Sequence, residues 1–399
     1  MSHIVSFKIE GLAGRQEPLE LELNRDTNII FGLNGSGKTS LLKILHGAMA
    51  NETDILARVP FTSAEVKIYS LSWDKVFTRS IKKTGNARST RSKGKSVEHR
   101  EDKIGNEIVL TKIPDGDEEM KWACKPATPK EAPFTRWRHE YLPTSRLHIS
   151  DEPGMMYFNQ HQPHPQRPWL TEEQLDMFFA SSVEQLWIRY SAQVLSNVRT
   201  AQEQGLVSIL RAVLSPTSTR QKQGSNKLTS ETAYKRVQDF LKRQGSASLL
   251  GTRAAFEKRY AKDTTLQDVV RDIDVVENSI KSAMAARDSL QELITRMFTA
   301  NKEIRFTDES IEVSTLSGEK IGLASLSSGE KHILRILVEA LLIGESTLMI
   351  DEPELSMHVD WQKDLIRSLR SLNPDTQLIL ATHSPEIMAD VPDDKIFRI

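Results

Sequence analysis

Cysteine is nearly absent: Cys124 is the one thiol in 399 residues. That excludes an internal disulfide framework and any cysteine-rich metal centre, and it fits a reducing compartment. A lone thiol of this kind is expected to be buried and unreactive. Long apolar runs are absent too. No stretch approaches the roughly 18 residues that would span a bilayer, and the amino end, Met1-Ser2-His3-Ile4-Val5-Ser6-Phe7-Lys8, has no signal-peptide core. The expectation is a cytoplasmic protein with no membrane partner. Net charge is −1, so any affinity for nucleic acid has to come from a local patch. With 38% hydrophobic and 27% charged residues, the chain is neither disordered nor fibrous. Its length allows two or three domains with ordinary cores.

What is present is a phosphate cradle. Gly32-Leu33-Asn34-Gly35-Ser36-Gly37-Lys38-Thr39 fits G-x-x-x-x-G-K-[ST]. Thr27-Asn28-Ile29-Ile30-Phe31 before it reads as a short buried strand, and Ser40-Leu41-Leu42-Lys43-Ile44-Leu45 after it as a helix. Glycines let backbone N–H groups close on an anion, and the helix start adds partial positive charge. Gly32, Asn34, Gly35, Ser36, Gly37, Lys38, Thr39 and Ser40 are therefore the candidate nucleotide-binding residues, with Lys38 for the β- and γ-phosphates and the Thr39 hydroxyl for Mg²⁺. The competing reading is a glycine-rich turn without a ligand.

Elsewhere the chain is patterned in blocks. Val5, Phe7 and Ile9, then Leu19, Leu21 and Leu23, alternate with polar residues as half-buried strands do, and a further strand is expected from about Ala64 to Ser72. From Arg79 to Lys103 there are nine Lys or Arg (Arg79, Lys82, Lys83, Arg88, Arg91, Lys93, Lys95, Arg100, Lys103) against three acids. This predicts a mobile basic loop, either a solvated hairpin tip or a contact for DNA phosphates or a partner. No aromatic residue is interleaved, so base stacking is not indicated. Strand patterning resumes at Asn106 to Ile113 and at Glu119 to Cys124. Ala127 to Pro168 is rich in proline; His161 and His164 within it lack partners at metal-ligand spacing, which favours a tethering loop.

Thr171-Glu172-Glu173-Gln174 is a capping-box opening, followed by Leu175, Phe179, Val183, Leu186, Tyr190 and Val194 at helical spacing. Ser215 to Thr229 reads as a linker. Leu266, Val269, Ile273, Val276, Ile280, Ala283, Arg287, Leu290, Ile294 and Met297 then step by three and four, with only Arg287 interrupting the apolar seam. A coiled-coil-like arm and an ordinary bundle helix both fit that register.

The last quarter brings three more stretches. Leu326-Ser327-Ser328-Gly329-Glu330-Lys331 opens a helix with Ile333, Leu334, Leu337, Val338 and Leu341 on one face, a second anion site. Thr347-Leu348-Met349-Ile350 is an apolar strand ending in Asp351-Glu352-Pro353-Glu354, where carboxylates can hold Mg²⁺ and an attacking water. Gln377-Leu378-Ile379-Leu380-Ala381-Thr382 is another such strand, ending at His383-Ser384-Pro385.

In this order the motifs resemble those of the ATP-binding-cassette class of ATPases: Gly32 to Thr39 as Walker A, Leu326 to Lys331 as the signature, Asp351-Glu352 as Walker B, Leu355-Ser356-Met357-His358 as the D-loop and His383 as the switch histidine. Within the class the chain is similar to the overcoming-lysogenisation-defect-like and the recombination or chromosome-maintenance ATPases, through Asp351 to His358 and Ala381 to Pro385. The resemblance implies an α/β fold: a P-loop ATPase head assembled from the N- and C-terminal segments, with a β-rich and a helical, arm-like insertion between them. The expected domains are 1–170, an N-terminal lobe with Walker A; 171–300, a helical arm; and 301–399, a C-terminal lobe with signature, Walker B and switch.

It also implies head-to-tail dimers in which ATP lies between Walker A of one copy and Ser327 and Gly329 of the other. Thr39 and Asp351 would coordinate Mg²⁺, Glu352 would polarise water and His383 would sense the γ-phosphate. Two positions depart from the pattern: Ser328 replaces a glycine, and Thr144 stands where a glutamine is expected, with Gln160 or Gln162 as substitutes. Residues 40 to 325 separate the phosphate motifs, far more than transporter cassettes carry. Sixteen residues follow His383, so a fused nuclease is not expected. The leading reading is an ATPase that controls a separate effector, such as a nuclease, in antiviral defence. The others are a DNA-repair or chromosome-type ATPase that clamps DNA, and a nucleotide-dependent interaction module with little turnover.

Overall fold

The computed structural model describes residues 2–83, 97–101, 107–111, 120–125, 136–144, 171–214, 229–243, 245, 250–298 and 302–399. They divide into two compact units, one made of residues 1–167 with 328–399 and one of residues 168–327. His161, His164, Gln160, Gln162 and most of the 215–229 linker lie outside the described residues.

The first unit holds two five-stranded sheets. One is antiparallel, ordered β2-β1-β4-β5-β8 from β1 (Ser2–Glu10), β2 (Leu19–Glu22), β4 (Ser63–Ser70), β5 (Lys75–Lys82) and β8 (Ala123–Lys125). The other is parallel, ordered β15-β3-β14-β13-β9 from β3 (Thr27–Phe31), β9 (His139–Leu142), β13 (Thr347–Asp351), β14 (Gln377–Thr382) and β15 (Ile396–Arg398). Every residue of β13 and β14 is buried. That is why these strands are continuous apolar runs and not alternating ones. Between the sheets runs α1 (Lys38–Ala50), where Leu41, Leu42, Ile44, Leu45 and Met49 share a core with Phe7, Val66 and Phe77 on one side and Met349 and Ile379 on the other. Lys43 and His46 on the remaining face are half-buried, so most of the helix surface is covered.

Sequence alternation misplaces one residue of β1. The inward side chains are Ile4, Phe7 and Ile9, not Val5, because the pairing with β4 shifts between Ile4 and Ser6. A bulge there changes which face each residue takes. The two sheets are also joined by a buried amide: Gln377 accepts from Ile4 N (2.9 Å) and Thr347 Oγ1 (3.0 Å) and donates to Ile4 O (2.8 Å) and Asn24 O (2.9 Å).

The expected basic loop is corrected at both ends. Arg79 and Lys82 are in β5, and Val97–Glu101 is a strand, β6, paired antiparallel with β7 (Glu107–Thr111). Arg79 follows Phe77 and precedes Ile81 on the inward face of β5 and is fully buried. Its guanidinium donates to Ala48 O and lies 4.2 Å from the centre of the Trp137 ring. A cation at the carboxyl end of α1 complements the helix dipole. Burial pulls its pKa down to about 10, against the opposing effect of a hydrogen bond with Cys124, a half-buried thiol. Lys83 is occupied too, with Nζ on the carbonyls of Ala57 (2.9 Å) and Val59 (2.8 Å). Arg88, Arg91, Lys93, Lys95 and Lys103 lie outside the described residues.

The second unit is built on two long helices, α2 (Glu172–Leu214) and α5 (Thr264–Met297), which pack together. The capping box at the start of α2 forms reciprocally: Thr171 Oγ1 accepts from Gln174 N (3.3 Å), and Gln174 Oε1 accepts from Thr171 N (2.9 Å). Asp263 caps α5, accepting from Leu266 N at 3.1 Å. Gly205 lets the pair close, since a Cβ there would come 2.0 Å from Val276 Cγ2. Two shorter helices, α3 (Ser230–Arg243) and α4 (Arg253–Tyr260), bury Ala233, Val237, Phe256 and Tyr260 against Val270 and Ile273. The seam is therefore a helix pair with a small bundle at one end.

Arg287 interrupts the seam for a reason. It donates to Phe306 O (2.7 Å) and pairs with Asp308, tying α5 to the turn between β10 (Lys302–Phe306) and β11 (Ile311–Thr315). With β12 (Lys320–Ile321) these strands form a small antiparallel sheet that clusters with the helices. Among the described residues no helix is long and apolar enough to cross a membrane.

Candidate nucleotide site at the edge of the parallel sheet

Parallel strands present their carboxyl ends along one edge, and β3, β13 and β14 each release a functional loop there. From β3 the chain enters the glycine loop. Gly35 and Gly37 have φ of +85° and +101°, which L side chains rarely adopt. A Cβ on Gly32 would lie 2.7 Å from Ser36 Oγ. Asn34 and Gly35 are exposed, while Ser36, Thr39 and Ser40 are half-buried. Lys38 is 4% exposed, and its Nζ donates to Gly32 O (2.9 Å) and Leu33 O (3.2 Å). The ammonium thus fills the loop that an anion would enter.

β13 ends in Asp351, 1% exposed. Its Oδ2 accepts from Thr144 Oγ1 at 2.6 Å, the Thr39 hydroxyl also bonds it, and Oδ1 has no hydrogen-bond partner. Burial raises its pKa, opposed by the bonds from Thr144 and Thr39 and by Lys38, with Glu352 adding to the rise. Thr144 follows β9, which pairs with β13, so the residue in the place of the expected glutamine does reach the Walker B carboxylate.

Glu352 has φ of +53°, an uncommon backbone for a residue with a side chain. Its carboxylate sits between Lys38 Nζ (3.5 Å) and His383 Nδ1 (2.8 Å). Lys38, Glu352 and His383, far apart in sequence, thereby meet in one cluster of charged and polar groups.

The signature behaves differently. Ser327 is exposed and ends the second unit; Ser328 starts α6 (Ser328–Ile343) in the first. Gly329 is buried, and a Cβ on it would lie 2.3 Å from Ser356 O, in the D-loop of the same chain. Ser356 itself has φ of +60°. This glycine is needed for close packing within the chain.

Two polar residues escaped the motif reading, and a third, Glu354, was read only as one of the carboxylates at the end of β13. His332, on α6, has Nε2 at 3.0 Å from Pro353 O. Gln362, on α7 (Val359–Leu372), donates to Met357 O (3.0 Å) and accepts from Ser384 Oγ (2.8 Å), bracing the D-loop and the switch loop. Glu354 is 6% exposed and bonds the switch loop. None follows a spacing rule; each is recognised only by what the fold puts beside it.

Two family models match. One, described as "AAA domain", covers residues 1–126; the other, "AAA domain, putative AbiEii toxin, Type IV TA system", covers residues 230–389. Among curated proteins, the "Retron Vc95 probable ATPase" of Vibrio cholerae is 28% identical over 152 residues, 37% of this chain and 29% of that protein. The "DNA double-strand break repair Rad50 ATPase" of Sulfolobus acidocaldarius is 31% identical over 141 residues, 34% of this chain and 15% of that protein. The "Retron Ec83 probable ATPase" of Escherichia coli is 28% identical over 92 residues, 20% of this chain and 17% of that protein. The matches span less than a third of the length of these relatives. A solved Smc head domain from Pyrococcus furiosus, with an extended coiled coil and bound to the C-terminal domain of ScpA, aligns over 98% of this chain and 92% of that one. Its identity is 12% and its TM-score 0.42, too distant to carry weight. Both AAA matches reach the segments whose loops meet at Lys38 and Glu352, so the chain is similar to AAA-domain proteins in both halves of this site.

Proposed function

We propose that the chain binds ATP with Mg²⁺ at this sheet edge, hydrolyses it, and couples that cycle to a separately encoded effector, such as a nuclease, in antiviral defence. The observation that carries the ATPase reading is the convergence of Lys38, Asp351, Glu352 and His383 on one cluster. The two retron ATPases among its relatives support the defence role. The residues present fit a hard divalent ion: Asp351 Oδ1 is buried without a partner beside the Thr39 and Thr144 hydroxyls, an all-oxygen donor set. When bound, Mg²⁺ would offset charge on the transferring phosphoryl group.

In this reading Lys38 exchanges the carbonyls of Gly32 and Leu33 for phosphate oxygens, and Gly32 to Ser40 supply N–H and hydroxyl donors. Releasing Lys38 also frees Glu352 from its ion pair, so nucleotide entry turns the carboxylate toward a water as base. His383 then loses or keeps its bond to Glu352 according to whether a terminal phosphate is present. Completion by Ser327 and Gly329 of a second copy makes the working form a head-to-tail homodimer. Because Gly329 is packed against Ser356, that contact would also report the state of the D-loop.

A second reading, ATP-dependent clamping of DNA in repair, is favoured by the Rad50 similarity. Arg79 is not available for such a contact, being buried.

Equilibrium binding of a fluorescent ATP analogue and steady-state phosphate release test the proposal together. Lys38→Ala is expected to weaken binding at least ~100-fold. Glu352→Gln is expected to keep binding, lower kcat by roughly 10²-fold or more, and leave a dimer on size-exclusion chromatography with ATP. Normal turnover in Glu352→Gln would remove Glu352 from its role. A neighbouring reading frame whose nuclease co-purifies with the chain supports effector control; hydrolysis stimulated by DNA alone, with steep salt dependence, supports clamping.

A further inference from the structure

The two glutamates of Asp351-Glu352-Pro353-Glu354 are one proline apart and meet different partners. Glu352 faces Lys38 and His383. Glu354 reaches from the end of β13 to the end of β14. There its Oε1 accepts from Thr382 Oγ1 (2.6 Å), His383 N (2.9 Å) and Ser384 N (3.2 Å) and stands 3.1 Å from His383 Nδ1. Two adjacent N–H groups on one carboxylate fix the backbone of the switch loop, and the hydroxyl fixes the carboxylate. With carboxylate oxygens of both glutamates around it, Nδ1 of His383 must carry a proton, which leaves Nε2 as the outward nitrogen of a side chain 41% exposed.

Glu352, Glu354 and His383 also offer three ligand atoms within 4.8 Å of one another. Against a cation there, Glu354 Oε1 is already ringed by donors and the Lys38 ammonium is 3.5 Å from Glu352, although Glu354 Oε2 is buried without a partner.

We propose that Glu354 is the positioning residue of the switch. It clamps the loop 382–384 and holds His383 in the Nδ1–H tautomer, with Nε2 directed outward for nucleotide. Walker B and the switch loop then move as one body, because the residue that aims the histidine is two positions from the base it contacts. Gln362 secures the far side through Ser384. The proposal rests on the ATPase reading for its kinetic consequence, but the clamp itself does not need nucleotide.

Glu354→Gln keeps a carbonyl acceptor and removes the charge. Hydrogen exchange of peptides covering 382–387, measured without nucleotide, is expected to quicken at least ~10-fold; unchanged exchange would overturn the clamp whatever the protein hydrolyses. In steady-state MgATP hydrolysis, kcat is expected to fall roughly 10- to 100-fold, while the Kd of a fluorescent ATP analogue moves less than ~3-fold. In a His383→Ala background the same change should cost under ~3-fold in kcat, because the residue acts through the histidine. An equal cost in both backgrounds would make Glu354 merely structural and sink the proposal. Thr382→Val, nearly isosteric, removes one of the donors and should give a smaller loss with the same dependence on His383. If the wild-type protein neither binds the analogue nor hydrolyses ATP, the ATPase reading fails while the exchange result still decides the clamp.

Discussion

The nucleotide edge and the helix pair solve burial in opposite ways. At the edge, the interior is polar: Lys38, Asp351, Glu354 and Thr382 are all buried, and most of their atoms are matched to donors or acceptors within a few residues of a strand end. In the α2–α5 pair the interior is mostly apolar, with Phe179, Val183, Trp187, Val270, Ile273, Leu290 and Ile294 inside; Ser191, Asp272 and Glu277 are buried there too, and Arg287 leaves the seam to bind a turn. The contrast shows where stability and chemistry are kept. The helix pair is held by area and shape. The edge carries uncompensated groups, such as Asp351 Oδ1 and the positive-φ Glu352, that favour a ligand over the empty fold.

Changes on either side should therefore separate cleanly. The largest expected effect is Asp351→Asn, which should lower ATP hydrolysis by roughly 10²-fold or more and yet raise Tm. Burial lifts the pKa of Asp351, so its ionised form is penalised in the native state, and the neutral amide removes that penalty. A lower Tm in thermal denaturation would mean that the carboxylate stabilises the fold.

Next, Ile273→Ala or Leu290→Ala should cost about 2–5 kcal/mol in unfolding of the helical unit while leaving the Kd of an ATP analogue unchanged. If nucleotide binding weakened with either, the division into a chemical and a mechanical unit would fail. Gly205→Ala belongs to the same class. Its Cβ would meet Val276, and a loss of about 1–3 kcal/mol is expected from overpacking.

The smallest effect is in pH. His139 donates from Nδ1 to Trp137 O (2.7 Å), and as a neutral ring it accepts a hydrogen bond from His46 Nδ1 at Nε2 (2.8 Å). Burial pulls its pKa down to about 4, and burial with Arg25 does the same for His3. Between about 6.5 and 4 the unfolded chain takes protons that these rings refuse, so stability present above pH 6.5 is lost as pH falls through that window. His139→Asn should flatten the acid side of a Tm–pH profile; an unchanged slope would remove His139 from the account.

Much of this was legible in the residues because short motifs and strict periods are local. Gly32 to Thr39 announces its loop, β13 and β14 are unbroken apolar runs, and the step of three and four from Leu266 to Met297 coincides with α5. Even Thr144 could be placed by aligning its strand. The misses depend on partners distant in sequence. Arg79 reads as part of a charged loop until β8 and Trp137 cover it, and the bulge in β1 hides which face is inward. Gln377 looks like the polar start of a strand, and its role appears only when Ile4 comes within 2.9 Å. The part in Glu354 is invisible for the same reason: its partners are almost thirty positions away.

The central claim is that the glycine loop and the carboxylates more than 300 residues later are one magnesium-nucleotide site. Titration of a fluorescent ATP analogue into wild-type protein and Asp351→Asn, each with and without Mg²⁺, tests it directly. Wild-type affinity should rise with Mg²⁺, and the variant should bind with the same affinity in both buffers. A variant that keeps the full Mg²⁺ dependence of the wild type would contradict the claim.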